Sequence, residues 1–241
     1  MRERVAVYCG TRNLYGDMVT AAKSLLYHKG ADKVWFLIED DVFPHEIPDC
    51  ISTMNVSGQT YFREDGPNYH QHWTYMVLMR AALAHIFPQY DRVLSLDCDT
   101  IVNQNIDGIW DTDLTGKYYA GVREMLPGHE YDQPYCNFGV IMLNLAQLRD
   151  GTEDRVIDLL NTKHYHFNEQ EAYREVVKDA FVTLPPEYNV LYYSTAAAST
   201  TGAKIIHYAN HPRSENVMLF RKYARKTWDA VLAHESTGRY V

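Results

Sequence analysis

The sequence predicts an α/β protein built as a single domain, residues 1–241. Its length of 241 residues suits one full-sized hydrophobic core. The chain opens with a strand-like, a helix-like and a second strand-like segment within about forty residues, an order typical of a parallel α/β sheet. No internal repeat or linker divides the chain, and a composition of 46% hydrophobic and 22% charged residues excludes a disordered protein.

The predicted elements follow from the spacing of apolar residues. Residues 5–9 form a short apolar run closed by a glycine, which predicts a buried strand. From 17 to 28 the apolar positions lie one helical turn apart and stop at Gly30, so we expect a helix there. Residues 34–38 predict a second buried strand, and segment 43–67, which contains Pro and Gly, predicts a long loop. By the same criteria, further strands are predicted at 92–96, 118–122, 139–143 and 204–208, and helices at 70–87, 152–161, 168–178 and 216–234.

Charge and composition exclude several classes of protein. The 31 acidic and 23 basic side chains give a formal net charge of −8, which repels phosphate backbones and argues against nucleic acid as a partner. No apolar stretch approaches the ~18 residues that a membrane span needs. Met-Arg-Glu-Arg directly before a strand-like run does not resemble a secretory signal, so we expect a cytoplasmic protein. The four cysteines form no C-x-x-C pair, which predicts reduced thiols rather than a zinc cluster or disulfides.

The strongest candidate for chemistry is a pair of carboxylates, Asp97 and Asp99, at the end of the strand predicted at 92–96. Side chains two apart on a strand point to the same side, so the two carboxylates should lie together. Their repulsion would drive one to take up a proton unless a cation sits between them. Ligands also gather at the carboxyl ends of strands in open α/β sheets. Because an Asp-x-Asp triplet also arises by chance, the pair alone leaves an ordinary surface role open.

The sequence around this pair resembles a known enzyme family. Residues 90–102 (YDRVLSLDCDTIV) and 106–111 (IDGIWD) are similar to the central block of family 8 glycosyltransferases, which include glycogenin and bacterial lipopolysaccharide galactosyl- and glucosyltransferases. The resemblance implies a GT-A fold, with a single Rossmann-like mixed sheet flanked by helices. It also implies that Asp97 and Asp99 hold Mn²⁺, with Mg²⁺ as the second choice, on the diphosphate of a UDP-sugar.

Further blocks follow in family order over residues 5–213, and several imply contacts with the donor. Thr11 and Tyr15 match the first strand and loop, which hold uracil. Arg80, 17 positions before Asp97, matches the Arg or Lys of the donor site. Arg213 replaces the lysine that pairs with the diphosphate, which keeps the charge and changes the geometry.

Three more blocks imply the sugar pocket and the remaining metal ligand. Asn137 and Gly139 resemble the Asn-Ser-Gly strand that lines the pocket. Glu169 and Gln170 resemble the Asp-Gln helix start that contacts the donor sugar. His207 lies on a strand resembling the one whose histidine completes the metal shell. The resemblance therefore makes Gln170, Glu169 and Asn137 the candidate catalytic residues.

These residues suggest a mechanism with one step left open. Two carboxylates and an imidazole form a mixed oxygen and nitrogen shell, which suits Mn²⁺ better than Mg²⁺. The ion would act as a Lewis acid on the departing UDP phosphate. The family retains anomeric configuration, so we expect retention, with Gln170 on the far face of the sugar. Retention needs a covalent nucleophile, for which Glu169 is a candidate, or front-side attack by the acceptor.

Partners and rival functions are less well defined by the sequence. The acceptor is a carbohydrate, a lipid-linked sugar or a protein, and a homodimer is left open. The basic C-terminal helix, about 217–241, predicts either a packed helix with a solvated face or peripheral contact with the inner membrane face. A sugar-nucleotide pyrophosphorylase would need a Gly-rich loop after its first strand, and Gly10-Thr-Arg-Asn is too sparse for that. A carbohydrate-binding or nucleotide-sugar-binding protein without turnover is the remaining alternative.

Overall fold

The computed structural model of the protein describes residues 3–124, 136–192, 201–209 and 218–233. Within these ranges the strands are β1 Val5–Cys9, β2 Lys33–Ile38, β3 Ile51–Asn55, β4 Arg92–Leu96, β5 Thr100–Val102, β6 Tyr119–Arg123, β7 Cys136–Asn144, β8 Phe181–Thr183, β9 Val190–Leu191 and β10 Ile205–His207. The α-helices are α1 Tyr15–Tyr27, α2 Leu83–Ile86, α3 Asp107–Trp110, α4 Leu145–Leu148, α5 Thr152–Thr162, α6 Asn168–Val177, α7 Met218–Ala224 and α8 Trp228–Leu232. The 3₁₀ helices are Arg12–Leu14, Tyr75–Ala82 and Pro186–Tyr188.

A seven-stranded mixed sheet forms the centre of the molecule, in the order β3-β2-β1-β4-β7-β6-β8. β1 runs parallel to both β2 and β4, and β3 runs parallel to β2. β7 runs antiparallel to β4 and to β6, and β8 lies parallel to β6. Strand order reverses between β1 and β4, and such a reversal opens a crevice at the carboxyl ends of the strands. The mixed sheet with flanking helices confirms the predicted fold class, although a second sheet of three strands, in the order β5-β10-β9, accompanies the single sheet that was expected.

Both faces of the central sheet are buried. On β1, Val5 and Val7 belong to one apolar cluster, while Ala6 and Tyr8 belong to another, because successive side chains point to opposite faces. The first cluster includes residues of α5, α6 and the 3₁₀ helix Tyr75–Ala82, and the second includes the buried side of α1. A strand buried on both faces reads as an unbroken apolar run, which is why the sequence predicted β1 correctly.

The helix predicted at 70–87 differs most from its expected form. The structure has a 3₁₀ helix, Tyr75–Ala82, followed by the short α2. Met76, Met79 and Ala82 are buried at intervals of three residues, the spacing that lines one side of a 3₁₀ helix. An apolar pattern with steps of three and four does not distinguish the two helix types.

The long loop predicted at 43–67 is wrong in part, because it contains β3. Ile51–Asn55 pairs in parallel with β2 along its whole length. β3 is one of the two edge strands of the sheet, and its Ser52 and Thr53 are only half-buried. An edge strand with polar residues lacks the apolar run that marks the central strands.

The predicted C-terminal helix is two helices, α7 and α8, within the described residues. Residues 225–227 separate them, and Oγ1 of Thr227 accepts a hydrogen bond from the N–H of Ala230 at 3.2 Å, which caps α8. α7 buries Phe220 and Tyr223, and Tyr223 packs edge-on against Tyr27 of α1. None of the helices in the described part of the chain combines the length and apolarity needed to span a membrane.

Candidate active site

The turn after β4 positions the two predicted carboxylates. β4 ends at Leu96, so Asp97 and Asp99 lie in a turn rather than on the strand. The N–H of Thr100 donates to the carbonyl of Asp97 at 3.2 Å, and its Oγ1 donates to the same carbonyl at 2.7 Å. The two side chains converge as predicted, but through the geometry of this turn and not through strand alternation.

Strand pairing brings His207 to the same place. β5 begins at Thr100, directly after the turn, and pairs antiparallel with β10 so that Thr100 lies opposite His207. The Nε2 atom of His207 lies 3.2 Å from Oδ1 of Asp99 and 3.5 Å from Oδ2 of Asp97. One potential ligand atom from each of the three residues lies within 4.8 Å of the others. Residues 97, 99 and 207 therefore form a single cluster.

The donor set of this cluster fits a divalent cation. Atoms that share one octahedral ion lie about 3 Å apart, because each bond is about 2.1 Å long, and the contacts of His207 approach that spacing. Burial acts to lower the pKa of His207, but the Asp99 and Asp97 carboxylates outweigh it and raise the pKa above its ordinary value. The cluster thus concentrates negative charge around an imidazole, as a cation site does. Two carboxylate oxygens and one imidazole nitrogen form a mixed donor set of the kind that divalent metals accept.

Gly139 on β7 leaves the space that the imidazole fills. A Cβ atom at this position would lie 2.1 Å from Cε1 and 2.4 Å from Nδ1 of His207. Its carbonyl also accepts a hydrogen bond from the N–H of Asp97 at 2.9 Å. The structure therefore places Gly139 against the cluster of residues 97, 99 and 207, where only a residue without a side chain allows His207 its position.

Arg80 is buried rather than a solvated surface cation. Its Nη2 donates to Oδ1 of Asp97 at 2.7 Å, its Nη1 donates to the carbonyl of Phe138 at 2.6 Å, and its Nε lies 3.4 Å from Oε1 of Glu169. Burial acts to lower the pKa of Arg80, but Asp97 and Glu169 raise it above its ordinary value. Arg80 therefore links a cluster carboxylate to a buried acid.

Glu169 and Gln170, at the start of α6, both face the interior. Glu169 is 3% exposed, and burial raises its pKa to about 7, although Arg80 acts in the opposite direction. Oε1 of Gln170 accepts a hydrogen bond from the N–H of Phe138 at 2.6 Å. Asn137 completes this region, since its Oδ1 accepts from the N–H of Gly139 at 2.9 Å. The start of α6 and the start of β7 are thus joined beside the cluster.

The residues predicted to hold uracil lie at the carboxyl ends of β1 and β2. Tyr15 is buried, and burial raises the pKa of its hydroxyl to about 12. The hydroxyl accepts a hydrogen bond from the N–H of Glu39 at 2.9 Å and donates one to Oδ2 of Asp40 at 3.0 Å. Oγ1 of Thr11 lies 2.5 Å from Oδ1 of Asn13. Sequence reasoning missed Asp40, although it follows a buried strand just as Asp97 does.

A thiol connects this loop to the turn after β4. Sγ of Cys98 lies 3.3 Å from the carbonyl of Cys9, the last residue of β1. A Cβ atom at Gly10 would lie 3.2 Å from the same sulfur. The predicted donor loop and the carboxylate turn are therefore in direct contact. Arg213, the predicted partner of the diphosphate, lies outside the described residues.

Comparison with known proteins identifies the family. Residues 6–212 match the model of glycosyl transferase family 8. The chain belongs to this family. The match covers the carboxylate turn, both predicted pocket segments and His207, so the sequence resemblance and the geometry concern the same residues.

Relatives and solved structures agree with this assignment. The family 8 chain is 26% identical over 245 residues to the glycosyltransferase GlyA of Streptococcus pneumoniae, an alignment that covers 94% of the chain and 34% of GlyA. The chain thus spans about a third of the length of that relative. It superposes on the glycosyltransferase GlyE of S. pneumoniae with a TM-score of 0.70 and 19% identity, covering 96% of the chain and 62% of GlyE. The galactosyltransferase LgtC, solved with donor and acceptor sugar analogues, gives a TM-score of 0.69 and 16% identity, covering 91% and 95%. These structures confirm the GT-A fold.

The sequence of this family 8 chain did not indicate Asn189. Oδ1 of Asn189 lies 3.2 Å from Nδ1 of His207. Asn189 follows the 3₁₀ helix Pro186–Tyr188 and precedes β9. The one feature that could have identified Asn189 is its position directly before a short strand that pairs with the strand of His207. That pairing could not be read from the sequence, because β9 has only two residues.

Proposed function

We propose that this family 8 chain transfers a hexose from a UDP-sugar to an acceptor, with retention of anomeric configuration and with a divalent cation. The convergence of Asp97, Asp99 and His207 at the switch point of the sheet is the observation that carries the proposal. The family match favours a transferase over a pyrophosphorylase. The acceptor would be a carbohydrate, a lipid-linked sugar or a protein.

Asp97, Asp99 and His207 would hold Mn²⁺, or Mg²⁺ in its place. When bound, the cation would supply Lewis acidity to the departing diphosphate. The net charge of −8 opposes the approach of an anionic donor, so local positive charge is needed. We propose that Arg213 supplies part of it. Arg80, which we expect to contact the donor, would in addition hold Asp97 in place, since it donates short hydrogen bonds to Asp97 and to the Phe138 carbonyl.

Donor recognition would begin at the carboxyl end of β1. Thr11 and Tyr15 would line the uracil site, with Asp40 orienting the Tyr15 hydroxyl. This loop contacts the carboxylate turn through Cys98 and Cys9. The uracil and the diphosphate would therefore occupy adjoining parts of one crevice.

The sugar would lie against the start of β7 and α6, beside Asn137, Gly139 and Gln170. Glu169 is the remaining candidate nucleophile. Its burial and its contact with Arg80 favour a supporting role, in which a buried carboxyl braces the guanidinium. We therefore favour front-side attack by the acceptor over a covalent intermediate on Glu169.

The test is UDP release from a panel of UDP-sugars, measured with Mn²⁺, with Mg²⁺ and with a chelator. We expect release to require the cation, and we expect Asp97→Asn and Asp99→Asn each to lower it about 100-fold or more, since each removes a charge that positions the leaving group. The control is Asp65→Asn, because Asp65 is exposed and pairs with Arg63 on the surface.

Two results would overturn the proposal. Release of UDP by both carboxylate variants at the wild-type rate would refute the cation site. Binding of UDP-sugars without any release, with or without a cation and with sugar acceptors present, would instead indicate a binding protein of the same fold.

A further inference from the structure

Asn189 is a buried amide that touches the imidazole of His207. It is 4% exposed. Parallel pairing of β9 with β10 sets Leu191 opposite His207 and so brings the preceding residues alongside the cluster. Oδ1 of Asn189 lies 3.2 Å from Nδ1 of His207, on the opposite side of the ring from the atom that faces the carboxylates. This contact has no part in the mechanism described above.

The orientation of the neighbouring amide, Asn137, is determined by its partners. The N–H of Gly139 can only donate, so the Asn137 atom at 2.9 Å from it must be the oxygen. The carboxylate of Glu124 accepts, so the Asn137 atom at 2.9 Å from it must be the nitrogen. Two partners of opposite character thus allow Asn137 one orientation.

That orientation determines the next one. Oδ1 of Asn137 lies 3.0 Å from the side-chain amide of Asn189, and because an oxygen only accepts, the facing atom of Asn189 is its nitrogen. The oxygen of Asn189 must then face His207. Nδ1 of His207 must donate the hydrogen bond, because a carbonyl oxygen cannot.

The consequence lies at the other ring nitrogen. A neutral imidazole with a proton on Nδ1 carries a lone pair on Nε2, and Nε2 is the atom that lies 3.2 Å from Asp99 and 3.5 Å from Asp97. Metal-ligating histidines are held in this way by a group that accepts from their second N–H. An amide side chain can accept from that N–H only when its oxygen, and not its nitrogen, faces the ring. Here the backbone N–H of Gly139 determines the orientation of Asn137, and Asn137 in turn determines that of Asn189.

We infer that Asn189 is a positioning residue, which holds His207 in the Nδ1–H tautomer and directs its Nε2 lone pair at the cation site. The inference rests on the proposed function, because it assumes that His207 is a ligand. It extends that function to the chain formed by Gly139, Asn137 and Asn189, whose last member contacts His207 and is not itself one of the proposed ligands. Removal of Asn189 should weaken cation binding without changing the charge of the site.

The first test is Mn²⁺ affinity, measured by electron paramagnetic resonance of the free ion during titration. We expect Asn189→Leu and Asn189→Ala each to bind Mn²⁺ about 10- to 100-fold more weakly than the wild type. Asn189→Asp keeps an acceptor for Nδ1–H but sets an oxygen against Oδ1 of Asn137, so its affinity should fall between the wild type and the two apolar variants. Asn68→Leu is the matched control, because Asn68 is a fully buried amide that bonds to the Leu160 and Lys163 carbonyls, and its Mn²⁺ affinity should be unchanged.

The second test uses Mg²⁺, a diamagnetic cation that leaves the ¹⁵N signals sharp. The ¹⁵N–¹H signal of His207, assigned by its loss in His207→Gln, reports the Nδ1 proton in the Mg²⁺-saturated protein. We expect that proton to exchange slowly with water in the wild type, where Asn189 accepts it, and faster in Asn189→Leu and Asn189→Ala. Circular dichroism checks that each variant is folded.

The possible failures are distinct. Wild-type affinity for Mn²⁺ in both apolar variants, or an Nδ1 proton of His207 that exchanges equally fast in all three proteins, would overturn the role of Asn189 and leave the cation site intact. Failure of the wild type to bind Mn²⁺ would refute the cation site and this role together.

Discussion

Replacing Gly139 with alanine puts a methyl group where the His207 imidazole lies. The added Cβ would stand 2.1 Å from Cε1 and 2.4 Å from Nδ1 of the ring, and 2.9 Å from Oδ1 of Asn137. Ordinary contacts of a Cβ atom begin at 3.4 Å. The ring must therefore move by about 1.3 Å, the difference between 3.4 Å and 2.1 Å.

A movement of this size lowers the stability of the protein and disrupts the site. His207 is buried and is held by Asn189 on one side and the carboxylates on the other. Overpacking of this kind lowers the free energy of unfolding by about 1–3 kcal/mol. It also displaces Nε2 by more than half the length of a metal–nitrogen bond, which is about 2.1 Å.

The assay has three measurements on Gly139→Ala. Urea denaturation should show the loss of about 1–3 kcal/mol. Mn²⁺ affinity should fall by about 10-fold or more, and Mn²⁺-dependent UDP release by about 100-fold, because a misplacement of about 1 Å is enough for that.

Gly58→Ala is the matched control, since a Cβ at Gly58 meets no atom within 4 Å. Its free energy of unfolding should stay within about 0.5 kcal/mol of the wild type, and its Mn²⁺ affinity should not change. The reasoning would be refuted by a Gly139→Ala protein that is as stable as the wild type and binds Mn²⁺ equally well.

Two further predictions concern buried charges. Arg80→Met leaves Asp97 and Glu169 without their cation, so we expect urea denaturation to show a free energy of unfolding lower by about 3–5 kcal/mol. Arg63→Met, in an exposed ion pair, should lower it by less than about 1 kcal/mol. Equal losses in the two variants would contradict the role of Arg80 in bracing Asp97. Burial raises the pKa of Glu153 to about 7, so Glu153 in the folded protein keeps a proton that the unfolded chain releases above about pH 4.3. The tighter binding of this proton stabilises the folded protein by an amount on the order of 3 kcal/mol. This contribution is fully present below the unfolded pKa and is lost as the pH rises through about 7. Urea denaturation from roughly pH 4 to roughly pH 8 should therefore show that the free energy of unfolding declines less for Glu153→Gln than for the wild type. An equal decline in both proteins would contradict the raised pKa of Glu153.

The part of the site that sequence predicted best is local. β4 is a buried apolar run that ends directly before Asp97 and Asp99, so the strand, the carboxylates and their place at the carboxyl end of the strand all follow from adjacent residues, 92–99. The resemblance then associated His207 with the pair, and the structure confirms that the three side chains converge.

The part that sequence predicted poorly depends on contacts between distant segments. Arg80 was predicted as a cation of the donor site, but its burial between Asp97 and Glu169 was not predicted, since it depends on three elements that meet only in the fold. β3 was missed because its polar residues are explained only by pairing with β2. Asn189 was missed because a two-residue strand leaves no periodic pattern.

By itself, then, the sequence determined the class of fold, the family and the identities of the chemical groups, because apolar spacing and short motifs are properties of neighbouring residues. Tertiary structure alone decided the direction in which those groups act. The lone pair of His207, the space at Gly139 and the burial of Arg80 each depend on atoms far apart in the chain, and a hydrogen bond or a steric contact acts only between atoms that the fold has already brought together.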